Sequence, residues 1–81
     1  MHKMENVNNA IKLVMSTVFE VSIDLIDEDC SIDSLDNWDS IGQLNLILAL
    51  EDEFGIGIPD EEVVNMVNYK LIKLIVNELL G

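Results

Sequence analysis

The sequence predicts an all-α fold: a small four-helix bundle of three longer helices and one short one, with a long loop between the first and second helices. Apolar residues recur at three- and four-residue spacing in the segments assigned to the longer helices. Capping residues mark helix ends, and no segment alternates apolar and polar residues as a strand does. The 81 residues are expected to form one domain, residues 1–81.

The first helix is expected to run for about 15 residues near the start of the chain. Its apolar face comprises Met4, Val7, Ile11, Val14, Met15 and Val18. From Glu20 to Asp39 the chain is rich in Asp, Asn and Ser, which favour turns. We interpret this stretch as a long loop with room for one short turn, and a loop of this length in a small domain indicates function. Five apolar residues are expected to pin it to the core: Ile23, Leu25, Ile26, Ile32 and Leu35.

Capping signals define the remaining helices. Asp39 is predicted to cap a helix over residues 40–54, and Gly55 to end it. After an extended segment, a short helix opens at Asp60 and carries Val63, Val64 and Met66. Asn68 caps the last helix, from about Tyr69 to Leu80. Its inward residues are predicted to be Leu71, Ile72, Ile75, Val76 and Leu79.

The helix over residues 40–54 has two apolar faces. The core face comprises Leu46, Ile47, Leu50 and Phe54. A second set, here called the docking stripe, comprises Ile41, Leu44 and Leu48, with Glu51 and Asp52 beside it. Either the loop covers this stripe through Leu35 or Trp38, or a partner does. The flanking acids favour a partner for Ile41 and Leu48.

Gln43 is the exception on the core face. Its position falls among the core residues of the same helix. A buried amide is unfavourable unless it finds hydrogen-bond partners or lies near a wet entrance.

Charge narrows the possible partners. Sixteen acidic residues against four lysines give a formal net charge of −12. This balance argues against binding to nucleic acid or to an anionic membrane surface, and no apolar run is long enough for membrane insertion. Fourteen of the acids and none of the lysines lie in residues 20–62, so partners of this region are expected to be basic.

Several other functions are disfavoured. His2, the only histidine, gives no general base for Ser40 or Cys30, so we expect no catalytic residue. The acidic loop has the spacing of a calcium site, but Ile32 and Trp38 stand where glycine and glutamate are needed, so no metal site is expected. A single cysteine and a start without an apolar signal core favour a cytoplasmic location. Nothing indicates oligomerisation, so a monomer is expected.

The helix over residues 40–54 and the segment after it resemble acyl carrier proteins. The resemblance covers nearly the whole chain and rests on Asp39-Ser40-Ile41, then Leu44, Leu46, Ile47, Ala49-Leu50-Glu51, Glu53-Phe54-Gly55-Ile56 and Ile58-Pro59-Asp60-Glu61. It implies a carrier without catalytic activity. A phosphopantetheinyl transferase would modify Ser40 with 4′-phosphopantetheine from coenzyme A, and Asp39 would cap the helix and help that enzyme. Acyl groups would then be attached to the thiol of the arm as thioesters.

The position of Ser40 agrees with this role, because a helix N-terminus stabilises a phosphodiester. By the same resemblance, Ile41, Leu44, Leu48, Glu51 and Asp52 would dock acyl-loading and acyl-transfer enzymes with basic patches. The core is expected from the resemblance to part and shelter an acyl chain between its residues: Leu46, Leu50, Phe54, Val63 and Ile75.

Departures from the family pattern indicate a specialised stand-alone carrier. Asn37 replaces the usual glycine, and its tolerance of left-handed backbone would preserve the turn. Gly42, Gln43 and Asn45 are neutral where carriers of fatty acid synthesis are commonly acidic. Gly42 costs about 1 kcal/mol relative to alanine in a helix, which suggests close approach by another group. Trp38 could shield the arm or contact a partner, but simple packing is favoured.

Two alternatives remain open from the sequence. The cargo could be a fatty acid, a polyketide, an amino acid or an acyl group destined for a glycan, so the chain could serve lipid or polyketide biosynthesis or be an aminoacyl or peptidyl carrier. It could also be an acidic helical adaptor of the same fold that carries no arm. The adaptor shares every feature except the use of Ser40.

Overall fold

The computed structural model describes residues 3–81, with side chains from Asn6 onward in the first helix. His2 and the side chain of Met4, on which two predictions fall, lie outside the described residues. The helices are α1 (Lys3–Phe19), a 3₁₀ helix (Ile23–Leu25), α2 (Ser40–Phe54), α3 (Asp60–Val63) and α4 (Tyr69–Leu80). Within residues 3–81 the only strand-like pairing is an isolated bridge between Ser31 and Asn68. The all-α prediction, with three longer helices and a short one, is confirmed.

The ends of α2 and α4 follow local capping chemistry. The Asp39 carboxylate accepts a hydrogen bond from the Gly42 N–H at 2.8 Å and so fixes the start of α2. Gly55 ends α2 with a left-handed backbone, φ 64°, as predicted. Asn68 caps α4 through a 2.8 Å bond from the Leu71 N–H to its side-chain oxygen.

One apolar core joins α1, α2 and α4. Its helical members are Ile11, Met15 and Phe19 of α1, Leu46, Ile47 and Leu50 of α2, and Tyr69, Ile72, Ile75 and Val76 of α4. The predicted core face of α2 is therefore confirmed, with Phe54 half-buried at its end. In α4, Leu71 and Leu79 are half-buried beside the three fully inward residues.

Two loop residues that were predicted to pack on the core face solvent instead. Ile26 is buried, but Ile23 and Leu25 of the 3₁₀ helix are exposed. Successive side chains of a 3₁₀ turn diverge by about 120°, so one short turn on the surface cannot bury all of its residues. Helix α3 ends at Val63, one turn earlier than expected, which leaves Val64 exposed while Met66 is buried beyond the helix.

The left-handed residue of the loop is Glu20, not Asn37. Glu20 has φ 57° and is the only non-glycine residue with positive φ among the described residues. It terminates α1, where the Val21 N–H reaches back to the Ser16 carbonyl at 3.1 Å. The expectation that Asn37 uses its left-handed tolerance is wrong. Asn37 instead anchors the loop, because its Nδ2 donates to the Phe19 carbonyl at 2.8 Å.

Gly42 is required by close packing of the loop on α2. A Cβ at this position would lie 2.1 Å from the carbonyl oxygen of Asn37. Real Cβ atoms do not approach a backbone oxygen so closely, so any side chain would push the loop away. The close approach suggested by the sequence is confirmed, and the approaching group is the chain's own backbone.

Gly42→Ala is expected to destabilise the protein by about 1–3 kcal/mol, because overpacking against Asn37 outweighs the gain of about 1 kcal/mol in helix propensity. Urea denaturation followed by circular dichroism measures the change. Gly57→Ala is the control, since a Cβ there meets no atom within 4 Å. Equal stability of wild type and Gly42→Ala would contradict the tight contact.

Glu20→Gly is expected to stabilise the protein by up to about 1 kcal/mol, because glycine adopts the left-handed backbone without the Cβ clash of an L-residue. Thermal denaturation at fixed salt measures the gain. Glu20→Ala removes the same charge and keeps the Cβ, so it separates electrostatic relief from backbone relief. If the melting temperature rises equally in both variants, the gain comes from loss of the Glu20 charge.

Candidate functional site

The site is built around the start of α2. Ser40 is the first residue of this 15-residue helix and is exposed. Asp39, directly before it, accepts the Gly42 N–H with its carboxylate and the Gln43 N–H with its carbonyl, the latter at 2.7 Å. The Ser40 hydroxyl therefore stands at the positive end of a capped helix dipole. An anionic group attached there would be electrostatically favoured.

Trp38 packs beneath this site. It is 3% exposed and stacks on Phe19, with ring centroids 4.9 Å apart and planes inclined by 26°. Its indole Nε1 donates to the Gln43 Oε1 at 2.6 Å. The packing role favoured by the sequence is confirmed for Trp38.

Gln43 finds partners for both ends of its amide. Its Nε2 donates to the Val63 carbonyl at 3.1 Å and to the Met66 carbonyl at 3.0 Å. The orientation of the amide is fixed by its partners, because an indole N–H can only donate and a carbonyl can only accept. The penalty expected for a polar residue on the core face is thus removed by three hydrogen bonds.

The docking stripe faces solvent. Ile41 is 71% exposed, Leu44 59% and Leu48 55%. The loop therefore does not cover it: Trp38 is turned toward Phe19, and Leu35 packs against the core. The open question for Leu44 is settled in favour of exposure, and α2 presents three apolar side chains in a row beside Ser40.

The two acids beside the stripe are not equivalent. Asp52 is exposed, but Glu51 is half-buried and its Oε2 accepts the Ile58 N–H at 2.8 Å. Glu51 thereby fastens the extended segment between α2 and α3 to α2. Sequence reasoning missed this structural use, because the partner lies seven residues away in a segment without regular structure.

A surface groove of about 350 Å³ runs from the site along α2 toward α3. Its walls are Ser40, Gln43, Leu44, Ile47, Leu48, Glu51, Ile58, Asp60 and Val63. Its apolar residues come from α2, from Ile58 and from Val63 of α3, and both Ser40 and Gln43 line it. The groove begins at the exposed serine and reaches the apolar residues between α2 and α3.

Cys30 lies away from this site and is 2% exposed. Burial raises the pKa of its thiol, which lowers the fraction of reactive thiolate. Its carbonyl accepts the Tyr69 N–H at 2.9 Å, so the residue joins the loop to the start of α4.

Among the described residues no group of three or more His, Cys, Asp or Glu side chains could hold a metal ion. No described helix is long and apolar enough to cross a membrane.

Comparisons with known proteins agree on one family. Residues 9–70 match the family model for the phosphopantetheine attachment site. The chain is 43% identical over 58 residues to an acyl carrier protein of Lactobacillus acidophilus, covering 72% of each sequence. The solution structure of a holo acyl carrier protein from Geobacter metallireducens superposes with a TM-score of 0.81, covering 99% of this chain and 87% of that one. At 24% identity, this last likeness shows the fold.

A family match that includes Ser40 and covers most of the chain, joined by 43% identity to a curated relative, goes well beyond shared helical architecture. The chain therefore belongs to the acyl carrier protein family, whose members carry acyl groups on covalently attached 4′-phosphopantetheine.

Proposed function

We propose that Ser40 Oγ is the atom that bears 4′-phosphopantetheine in this carrier. One observation carries the assignment: Ser40 is the exposed first residue of α2, directly after the Asp39 cap and inside the matched residues 9–70. A phosphopantetheinyl transferase needs a hydroxyl that it can reach, and this one lies on the surface.

The residues around Ser40 fit an attached 4′-phosphopantetheine. The N-terminal turn of α2 stabilises a phosphodiester through its dipole, and the docked loop holds that turn rigid through Gly42 and Gln43. When bound, the group supplies a thiol at the end of a flexible arm, where an acyl group is held as a thioester. Ser40 fixes the arm, and Asp39 keeps the helix start in place.

We also propose that the chain itself performs no catalysis. Cys30, the only thiol of the chain, is buried with a raised pKa, so it does not compete with the arm for acyl groups.

The arm-free adaptor is disfavoured by the family match. The monomeric state, the cytoplasmic location and a single carrier domain over residues 1–81 stay predictions.

The docking stripe is proposed as the surface that meets the transferase and the acyl-handling enzymes. Ile41, Leu44 and Leu48 are exposed side by side, and Asp52 supplies an exposed charge for a basic patch. Glu51 is less available to pair with a basic patch, because its carboxylate already accepts the Ile58 N–H. The adjoining acidic loop extends the negative surface, since residues 20–62 contain no lysine.

Modification at Ser40 can be tested by intact mass. Incubation with coenzyme A, magnesium and a broad-specificity transferase is expected to add one phosphopantetheinyl group to the wild type and to Ser22→Ala, but none to Ser40→Ala. Ser22, also exposed, caps the 3₁₀ helix and serves as the matched control. Under native conditions iodoacetamide should then label one thiol on the modified protein and none on the unmodified one, because Cys30 is buried. Equal mass gain by Ser40→Ala would reject the site.

The docking stripe can be tested by charge substitution. Leu48→Glu is expected to lower kcat/KM for modification about tenfold, because truncating or charging a central apolar contact costs about 1–2 kcal/mol of binding. Leu13→Glu is the control: Leu13 is 59% exposed but lies on α1. Melting temperatures of both variants report folding. If the two substitutions slow modification equally, the stripe is not the docking surface.

A further inference from the structure

The polar network centred on Gln43 closes the passage between α2 and the end of α3. We infer that Gln43 acts as a latch that keeps the acyl group outside the core, so that the cargo of this carrier is a short or polar acyl group rather than a long alkyl chain. The inference rests on the proposed attachment at Ser40. The latch is defined as the Gln43 side chain with its three partners: the Trp38 Nε1, the Val63 carbonyl and the Met66 carbonyl.

The latch joins three parts of the chain that would have to separate for the core to open. Gln43 belongs to the first turn of α2, Trp38 to the end of the loop, and the two carbonyls to the last residue of α3 and the segment after it. The partners of the Gln43 Nε2 are 20 and 23 residues away in sequence. The Gln43 side chain therefore links the first turn of α2 to the element that faces it across the groove.

Trp38 makes the latch rigid. Its ring is 3% exposed and stacked on Phe19 of α1, so it cannot follow an outward movement of Gln43 without leaving the core. The indole N–H fixes the Gln43 Oε1, which in turn directs both Nε2 hydrogens at the two carbonyls. No side-chain nitrogen or oxygen buried among the described residues lacks a partner.

An alkyl chain that enters the core from the arm on Ser40 would have to pass the latch. Ser40 and Gln43 line the same groove, and the core behind it is filled by Leu46, Leu50 and Met66, each 0% exposed. Moving α3 away from α2 would break both Nε2 hydrogen bonds and deprive the Gln43 Nε2 and the Met66 carbonyl of their partners, while the Val63 carbonyl would keep the Met66 N–H. Burial of a few methylene groups does not offset that loss, and a polar amide at the passage gives an alkyl chain no apolar contact.

The inference can be tested by the rate at which hydroxylamine cleaves the thioester. A broad-specificity transferase loads the protein with acetyl or octanoyl phosphopantetheine from the corresponding acyl-coenzyme A, and intact mass confirms loading. In the wild type, cleavage rates for the two acyl groups are expected to agree within about twofold, because neither is sheltered. In Gln43→Met, which keeps the length of the side chain and removes its hydrogen bonds, octanoyl cleavage is expected to be on the order of tenfold slower than acetyl cleavage.

Two controls separate the latch from general loosening. Asn45→Met makes a similar amide-to-methionine change at an exposed position of α2 and is expected to behave like the wild type. Trp38→Phe keeps an aromatic ring on Phe19 but removes the indole N–H and part of the ring system, so it is expected to give partial octanoyl protection. Melting temperatures of all variants report folding.

The outcomes are distinct. Octanoyl protection in the wild type would overturn the inference, and this measurement does not require any variant to fold. Equal cleavage of both acyl groups in folded Gln43→Met would show that Gln43 is not what excludes the chain, and would overturn the latch. Failure of loading at Ser40, seen by mass before any cleavage is measured, would count against the proposed function instead.

Discussion

The contact of the loop with the first turn of α2 determines the geometry of the carrier site. Two interactions make that contact, the Asn37 carbonyl against Gly42 and the Trp38 indole N–H on the Gln43 amide, and a third, the stacking of Trp38 on Phe19 of α1, holds the loop in place. Each interaction uses a different kind of chemistry, and each fails if the loop withdraws. Ser40 lies in the middle of these residues, so its position depends on long-range packing as well as on the Asp39 cap.

The latch and the hydrophobic effect can be compared by magnitude. Leaving a buried hydrogen-bonding group unpaired costs about 1–3 kcal/mol, and burial of one methylene gains about 0.8 kcal/mol. Two broken Nε2 bonds therefore offset the burial of roughly three to seven methylenes. The octanoyl chain, with six methylenes and one methyl group, only reaches the upper end of this range, so the hydrogen bonds oppose its burial without preventing it by themselves. The core is also already filled, so an entering chain would displace side chains as well as break the latch.

Local signals in the sequence were sufficient to predict both ends of α2 and the start of α4, whereas contacts between distant parts of the chain could not be predicted. Asp39, Gly55 and Asn68 act on backbone groups within four residues, so their positions are readable from the chain itself. Glu20 carries no such signal, because nothing in a glutamate indicates a left-handed backbone. Gln43 was visible as a polar residue on an apolar face, but its partners lie across the fold and follow only from tertiary structure.

The structure explains why the first turns of α2 carry no charge. This explanation changes what their neutrality indicates about partners. Gly42 is neutral because the Asn37 carbonyl leaves no room for any side chain. Gln43 is neutral because a carboxylate in its place would face two carbonyl oxygens and could donate to neither. Only Asn45 is exposed and free of such a constraint, so it alone can reflect the preference of a docking enzyme. The neutrality that suggested a specialised pathway is therefore explained mainly by the packing at Gly42 and the hydrogen bonds of Gln43, and it says less about docking partners.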